Sequence, residues 1–490
     1  MYKYYGKNIR PFSAICDCQF GRKKIFTNAR QITRDNIIKE LNKALTIHNQ
    51  NAIEIDYLDK YYRGDQPILY RQKVNRPEVN NKIVENLAFM IVETKTSEMA
   101  GEPIQYVLRG TDEHKSEEIA NLNTIMEGED KPFFDIELCR WRSICGTAYR
   151  FIGNDERKNV LLDESDFFLS TEDPRYTFVV YFRNGLPAFS CQMGKDEGGK
   201  DTYFCYTNTE WFEISGIEIL REGDNGNYAI PVIEYPNNER RLSDIEITIG
   251  ITDEINKMTS DRSNGIEQFV SSWVKFVNCM IDETEFAKMR QAGALVVKSN
   301  NGENKADVDI MSQELNQTES QVVVADQYEK MLIIQGLASR QSDVTGGDTK
   351  GAVVLRNGHY DAEKRAELSE PILKRSERQA LRIILNRLRI NKGFTLLPSD
   401  VEIHISRTKM DNMLVKAQTL QMLLQSGIKY ERAIKTVGLF NDPEQVSLES
   451  KKRMEILYPE TEKEETAKQT KEVKEVLSVE KMAEKGIINT

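Results

Sequence analysis

The sequence predicts an α+β protein in which long helices surround an antiparallel sheet and a small β-rich insert. Two observations lead to this fold class. Between Thr147 and Tyr235, short runs rich in Tyr, Phe and Val are separated by Gly, Asp, Asn and Pro, as in strands joined by hairpins. On both sides of this region, apolar residues recur every three or four positions over long stretches, which is the spacing of amphipathic helices.

The N-terminal part predicts three helices and one strand. A first helix over residues 31–62 has Thr33 or Asp35 as its cap and apolar residues at helical spacing. A second covers 80–99, where Ile83, Leu87, Met90, Ile91 and Thr94 share a face, and Gly101 and Pro103 stop it. A strand at 104–108 and a helix at 133–145 follow.

The sheet region predicts strands at 148–153, 177–183, 188–193 and 202–207. It ends at residues 230–236. Each strand is short and bounded by turn residues, so we expect an antiparallel arrangement.

Two long helices are predicted next, with a compact β-rich insert between them. The first covers 242–269, begins at the capping-box pair Ser243 and Glu246, and would be roughly 40 Å long at 1.5 Å per residue. The insert covers 270–312, with strands at 294–298 and 307–311. The second helix covers 318–339. Apolar residues form two stripes on the first helix: Leu242, Ile245 and Ile249 on one, and Ile251, Ile255 and Met258 on the other.

A glycine-rich link joins the second long helix to a third. Residues 342–351 read SDVTGGDTKG, and the helix at 352–391 is expected to bend at Pro371. A strand at 401–406 and helices over 410–457, broken at Gly427, complete the ordered part. Residues 460–490 are mostly Glu, Lys, Thr and Val, which predicts a solvated helix or a partly disordered tail.

Composition argues against several classes of protein. The 490 residues carry a formal charge of -10, whereas general nucleic-acid binders usually have a basic surplus. The seven cysteines contain no CxxC pair, and the four histidines are scattered, so we expect no metal site, no cofactor and no catalytic group. No run approaches the ~20 apolar residues that span a bilayer. Lys350 precedes its glycine, so the link at 342–351 does not match a phosphate-binding loop.

One basic cluster has two interpretations. Lys374, Arg375, Arg378, Arg382, Arg387 and Arg389 follow Pro371 on the third long helix. Because Glu367, Glu370 and Glu377 are close in sequence, the cluster can be a salt-bridged helix face. Alternatively, it contributes to subunit contacts or lies near DNA.

The order of elements and three local strings resemble the portal proteins of long-tailed, double-stranded DNA phages. The strings are YYRGDQPI at 61–68 followed by NNKIVEN at 80–86, VETKT at 92–96 followed by GEPI at 101–104, and IPVIEYPNN at 230–238 followed by SDIE at 243–246. Together they cover roughly residues 30–460. Each string is weak alone, but three in the same order are specific.

The resemblance implies a division into named parts. These are a wing at 1–236, a stem helix at 237–269, a clip at 270–317, a second stem helix at 318–341, a tunnel loop at 342–351, a tunnel helix with a returning wing strand at 352–408, a crown at 409–458 and a charged tail at 459–490. The two apolar stripes would pack the stem. The loop residues Thr345, Gly346, Gly347, Asp348, Thr349 and Lys350 would face the DNA channel, unless the loop is only a link on an outer surface.

The function implied by the resemblance is that of a channel rather than of an enzyme. About twelve copies would form a homo-oligomeric ring at one capsid vertex of a virion assembled in the host cytoplasm. The ring would pass double-stranded DNA during packaging and ejection. It would contact the terminase large subunit, then the head-tail adaptor, and also the major capsid and scaffold proteins, with no membrane involved. The alternatives are another head or minor head protein and, with less support, a DNA-processing enzyme.

Overall fold

The computed structural model describes residues 21–73, 77–110, 112–154, 165, 167–270, 273–277, 284, 307–311, 317–337, 359–405, 413–438, 446–447 and 450. Its helices are α1 (Ile37–Tyr62), α2 (Leu87–Ala100), α3 (Glu113–Gly128), α4 (Lys131–Cys145), α5 (Ile249–Val270), α6 (Gln317–Gln335), α7 (His359–Lys392), α8 (Met413–Gln425) and α9 (Tyr430–Val437). Its strands are β1 (Ile25–Thr27), β2 (Gln105–Leu108), β3 (Thr147–Asn154), β4 (Phe167–Glu172), β5 (Thr177–Phe182), β6 (Pro187–Lys195), β7 (Asp201–Tyr206), β8 (Glu210–Ser215), β9 (Glu218–Asp224), β10 (Val232–Pro236), β11 (Trp273–Val277), β12 (Asp307–Met311) and β13 (Val401–His404).

A six-stranded sheet in the order β1-β5-β6-β7-β8-β9 lies under helix α1. From β5 to β9 each strand pairs antiparallel with the next along the chain, as the sequence predicts. The exception is β1, which runs parallel to β5. Ile37 and Leu41 of α1 are buried against Phe178 and Phe189 of the sheet, so the apolar stripe of α1 and one face of the sheet form a core.

A second core lies around the sheet β10-β3-β4 and the strand pair β13-β2. Helix α7 crosses it and buries Leu381, Ile384 and Leu388 completely. Ile384 and Leu388 lie one helical turn apart, and Leu381 lies one turn before them, so one stripe of α7 is committed to this core. After α7 the chain returns through Leu396 to β13, which pairs antiparallel with β2.

Helices α5 and α6 pack together, with the two-stranded sheet β11-β12 placed between them in sequence. Ile255 of α5 and Met331 and Leu332 of α6 share a small core with Leu87 and Ile91 of α2. This confirms the predicted order of long helix, β insert and long helix. The predicted strand at 307–311 is β12, whereas 294–298 lies outside the described residues.

Several predicted elements have different bounds, and some were not predicted at all. Helix α2 begins at Leu87 rather than at residue 80, and α5 begins at Ile249 rather than at 242. Helix α7 continues through Pro371. Helix α3 and the strands β1, β4, β8, β9 and β11 are additions. The break at Gly427 is confirmed, with a positive φ of 83°.

Candidate functional site at the long helices

The two apolar stripes predicted on the first long helix divide between two small cores. Ile245 and Ile249 contact the core formed by α1, α2 and α4, although Ile245 precedes the helix. Ile251 and Ile255 contact the core shared with α6. Ile245 and Ile255 are buried, while Ile249 and Ile251 are half-buried. The remaining two predicted residues, Leu242 and Met258, are also half-buried. Their role in contacts between subunits stays a prediction.

The most buried side of α5 carries a row of polar side chains. Thr252, Asn256, Ser260 and Asn264 are each no more than 2% exposed. Residues four apart lie one above the other on a helix, so these four form a single line along α5. We call them the polar row. The spacing of four is present in the sequence, but because these residues are polar, apolar periodicity does not reveal this buried side.

The polar row binds the extended chain that precedes α2. Backbone N–H groups of alternate residues donate to three of its side chains: Asn81 to Oδ1 of Asn264 (2.6 Å), Ile83 to Oγ of Ser260 (2.9 Å) and Glu85 to Oδ1 of Asn256 (2.9 Å). Four helical residues advance about 6 Å and two extended residues about 6.6 Å, so the two repeats match over this length. The chain and the helix therefore fit in one register.

This contact explains why α2 begins seven residues later than the sequence predicts. Residues 80–86 have helical spacing, but the N–H groups of Asn81, Ile83 and Glu85 find acceptors on α5 instead of within a helix. Asn86 then turns the chain with a φ of 40°. Its side-chain amide donates to the Tyr62 carbonyl (3.1 Å) and accepts from Gln66 (3.1 Å), which fixes the turn.

The predicted capping box is present in part. The Ser243 N–H donates to Oε2 of Glu246 (2.6 Å), as in a capping box. However, the Ser243 hydroxyl donates to the Ile144 carbonyl (2.6 Å), and Glu246 also binds Arg22, which pairs with Glu54 (2.9 Å). These long-range bonds hold the chain in turns, and the helix starts only at Ile249.

Helix α7 is attached to the sheets by a buried ionic network. Glu377 lies 3.2 Å from Lys131 and 3.5 Å from Arg150, and Asp135 binds both of these cations. The network consists of Lys131, Asp135, Arg150 and Glu377, all 4% exposed or less. Two positive and two negative charges balance, which is the condition for burying them.

Two tyrosines complete the coordination of Glu377. The hydroxyls of Tyr106 and Tyr235 donate to its two carboxylate oxygens at 2.6 and 2.8 Å. Burial would raise the pKa of Glu377, but Lys131, Arg150 and the two hydroxyls outweigh it and lower the pKa to about 2. Burial raises the pKa of both tyrosines well above the usual value, so they remain donors. Glu377 therefore stays ionised as an acceptor while the two tyrosines stay protonated as donors.

The basic cluster on α7 is mostly not salt-bridged to its own helix. Lys374 pairs with Glu370 (2.6 Å), but Glu377 points into the buried network. Within the part of the chain that the structure describes, the exposed residues Arg375, Arg378 and Arg382 have no acidic partner. The interpretation as a salt-bridged face therefore holds for Lys374 and not for these three arginines.

Other candidate chemistry is accounted for by packing. His48 is buried, its Nε2 lies 2.9 Å from the Arg175 carbonyl, and burial lowers its pKa to about 4. Cys139, Cys145, Cys191 and Cys205 are buried free thiols. Across the described ranges, no three His, Cys, Asp or Glu side chains are placed to hold a metal ion, and no helix is long and apolar enough to cross a bilayer. The predicted channel-loop residues Thr345, Gly346, Gly347, Asp348, Thr349 and Lys350 lie outside the described residues.

The family model for "Phage portal protein, SPP1 Gp6-like" matches residues 41–475, which is most of the chain and includes the polar row, the buried network and α7. The chain belongs to this portal protein family. It is therefore a structural protein rather than an enzyme, and the resemblance seen in the local strings is confirmed.

Two solved structures are similar to this portal protein at low sequence identity. One is described as "Neck of empty GTA particle computed with C6 symmetry", with a TM-score of 0.45, 12% identity, and coverage of 72% of this chain and 90% of the other. The second is "Virion of native gene transfer agent (GTA) particle", with a TM-score of 0.43, 11% identity, and coverage of 79% and 94%. No curated protein sequence matches the chain.

We predict that Ser260→Ala destabilises the portal protein by about 1–2 kcal/mol, because the half-buried N–H of Ile83 loses its acceptor. Ser263→Ala is the matched control on the same helix: Ser263 is half-buried and outside the polar row, and its change should cost less than about 0.5 kcal/mol. Urea unfolding of both variants measures the difference. Equal losses would show that the polar row does not anchor the chain before α2.

Removing the charge of Glu377 should be far more costly. Glu377→Gln leaves Lys131 and Arg150 buried with one carboxylate, so we expect a loss of about 3–5 kcal/mol. Glu370→Gln, which removes a partly exposed pair on the same helix, should cost less than about 1 kcal/mol. Thermal melting compares them, and similar melting temperatures would contradict the anchoring role of the network.

We predict that Asp253 on α5 makes the stability of the fold depend on pH. Burial raises its pKa from 3.8 to about 6, although the Tyr61 hydroxyl donates to it (2.9 Å). Because the pKa is higher in the folded state, stability falls as pH rises from about 4 to 6. Asp253→Asn should therefore equal the parent near pH 4 and exceed it by ~1–2 kcal/mol at pH 7. The exposed Glu254→Gln serves as control, and a pH-independent difference for Asp253→Asn would refute the assignment.

Proposed function

We propose that this portal protein assembles into a ring of about twelve copies at one vertex of a capsid, and that the ring passes double-stranded DNA during packaging and ejection. The family match over residues 41–475 carries this proposal. The order α5, β11-β12, α6 is consistent with a stem that ends in a small clip. In this assignment the wing includes both larger sheets, and α7 is the tunnel helix.

The partners follow from the same assignment. The clip, residues 270–317, would receive the terminase large subunit during packaging and the head-tail adaptor afterwards. The crown, residues 409–458, would lie inside the capsid, and major capsid and scaffold proteins would surround the wing. ATP hydrolysis would belong to the terminase, since the portal family is structural. The assembled particle is a virion or a virion-like particle.

The channel loop has a direct test. Deleting residues 345–348 should leave rings intact while packaged DNA falls at least tenfold, because a small polar loop facing the channel would contact the moving duplex without holding it. An equal-length Gly-Ser replacement is the control for length, and we expect it to package near parent levels. Negative-stain images report the rings, and protected DNA reports packaging.

Two outcomes would contradict the proposal at different levels. Normal packaging in the deletion variant would remove the loop from the mechanism. Parent protein that remains monomeric under assembly conditions, with no rings in the images, would refute the ring itself.

A further inference from the structure

An open groove of about 860 Å³ lies between helix α7 and the end of the six-stranded sheet where β5 leads into β6. Arg375, Arg382 and Arg389 line it from α7 at intervals of seven residues, and Lys24 lines the opposite wall. Two helical turns separate each arginine from the next, so the three form one stripe. Burial, with Arg241 and Arg375 nearby, lowers the pKa of Lys24. Two carboxylates also line the groove: Glu234, which pairs with Arg241, and Glu239. The lining therefore keeps a surplus of positive charge on a chain whose net charge is -10.

The groove also exposes apolar side chains. Leu186 is 61% exposed, Tyr228 is 74% exposed and Leu397 is 46% exposed, and all three line the groove. Exposed apolar groups beside arginines are typical of protein-binding surfaces, where Tyr and Arg supply much of the binding energy. A phosphate backbone would use the arginines but leave these three side chains without a role.

The opposite end of the same sheet has the complementary character. Strand register places the β6–β7 turn beside the β8–β9 turn, because Lys195 pairs with Asp201 and Ser215 pairs with Glu218. The groove-lining Pro187 lies at the other end of β6. With strands of six to nine residues, the two ends are about 20–30 Å apart.

We call the residues at these two turns, 195–201 and 216–218, the knob. It carries the four carboxylates of Asp196, Glu197, Asp201 and Glu218 against the two amines of Lys195 and Lys200. Ile217 at its tip is 81% exposed. Within the described residues, Asp196, Glu197 and Glu218 form no ion pair. The knob is therefore acidic with an apolar tip, whereas the groove is basic with an apolar lining.

We propose that the knob of one subunit docks in the groove of the next subunit of the ring. One chain supplies both surfaces at opposite ends of one sheet, so the contact is head to tail, and a head-to-tail contact with the right rotation closes into a ring. Charge complementarity would fix how the knob is placed along the groove, and Ile217 would pack beside Leu186 and Tyr228. This inference rests on the ring of the proposed function and adds which surfaces meet.

The test reverses charge on each surface separately. The groove variant is Arg375→Glu with Arg382→Glu, and the knob variant is Asp196→Arg with Glu218→Arg. All four residues are exposed, so we expect the monomers to fold like the parent, as checked by thermal melting. Alone, each variant should require at least a tenfold higher protein concentration to form rings. Mixed in equal amounts, the two variants should form rings near the parent concentration, because each reversed surface then meets its complement.

Arg378→Glu provides the matched control, since Arg378 is exposed on α7 but does not line the groove, and it should leave assembly unchanged. A second measurement uses Ile217→Cys with Tyr228→Cys, which should give oxidised ladders of linked subunits. Rings that form normally in both reversed variants, with no ladder, would overturn the docking and leave the ring intact. Normal rings with weakened DNA binding in the groove variant would instead assign the groove to DNA. Absence of rings in the parent would refute the proposed function as well.

Discussion

Four charged side chains can be buried together only if all four are present, and this constraint organises the fold. Lys131 and Asp135 come from α4, Arg150 from β3 and Glu377 from α7, with hydroxyls from β2 and β10. Removing any one member leaves an uncompensated charge in a dry interior, so α7 docks correctly or not at all. The hydrophobic contacts of Leu381 and its neighbours stabilise the packing of α7 on the core. The network fixes where α7 lies along its own axis.

The fixed position of α7 determines what its other faces can do. One stripe of α7 is buried in the core, and Glu377 is buried in the network. The arginines must therefore face outward or into the groove. At α5 the same principle applies with neutral groups. Hydrogen bonds from alternate N–H groups to the polar row have one good register, whereas an apolar stripe would tolerate sliding. Both long helices are therefore located by polar contacts and held by apolar ones.

The sequence predicts the parts of this fold that depend on local periodicity. The antiparallel strands, α4, the order of α5, β12 and α6, and the break at Gly427 follow from spacing and turn residues. Helix α3 could have been found too, since Ile119, Leu122, Ile125 and Met126 have helical spacing. The extended chain at 80–86 could not, because its acceptors lie more than 170 residues away on α5. The short parallel strand β1 could not be predicted for the same reason. The network around Glu377 could not be predicted either, because its members look like surface charges in the sequence.

The two interpretations of the basic cluster now have different physical consequences. If the arginines of α7 are neutralised by a neighbouring subunit's carboxylates, they contribute little attraction to DNA, and an acidic chain then surrounds a duplex that slides past it. If they face DNA, every arginine that meets a phosphate adds affinity and slows that movement. Under the proposed function, in which a ring passes DNA in both directions, the first arrangement works better. The apolar lining of the groove favours the same arrangement, because Leu186, Tyr228 and Leu397 gain free energy only from a surface that removes them from water.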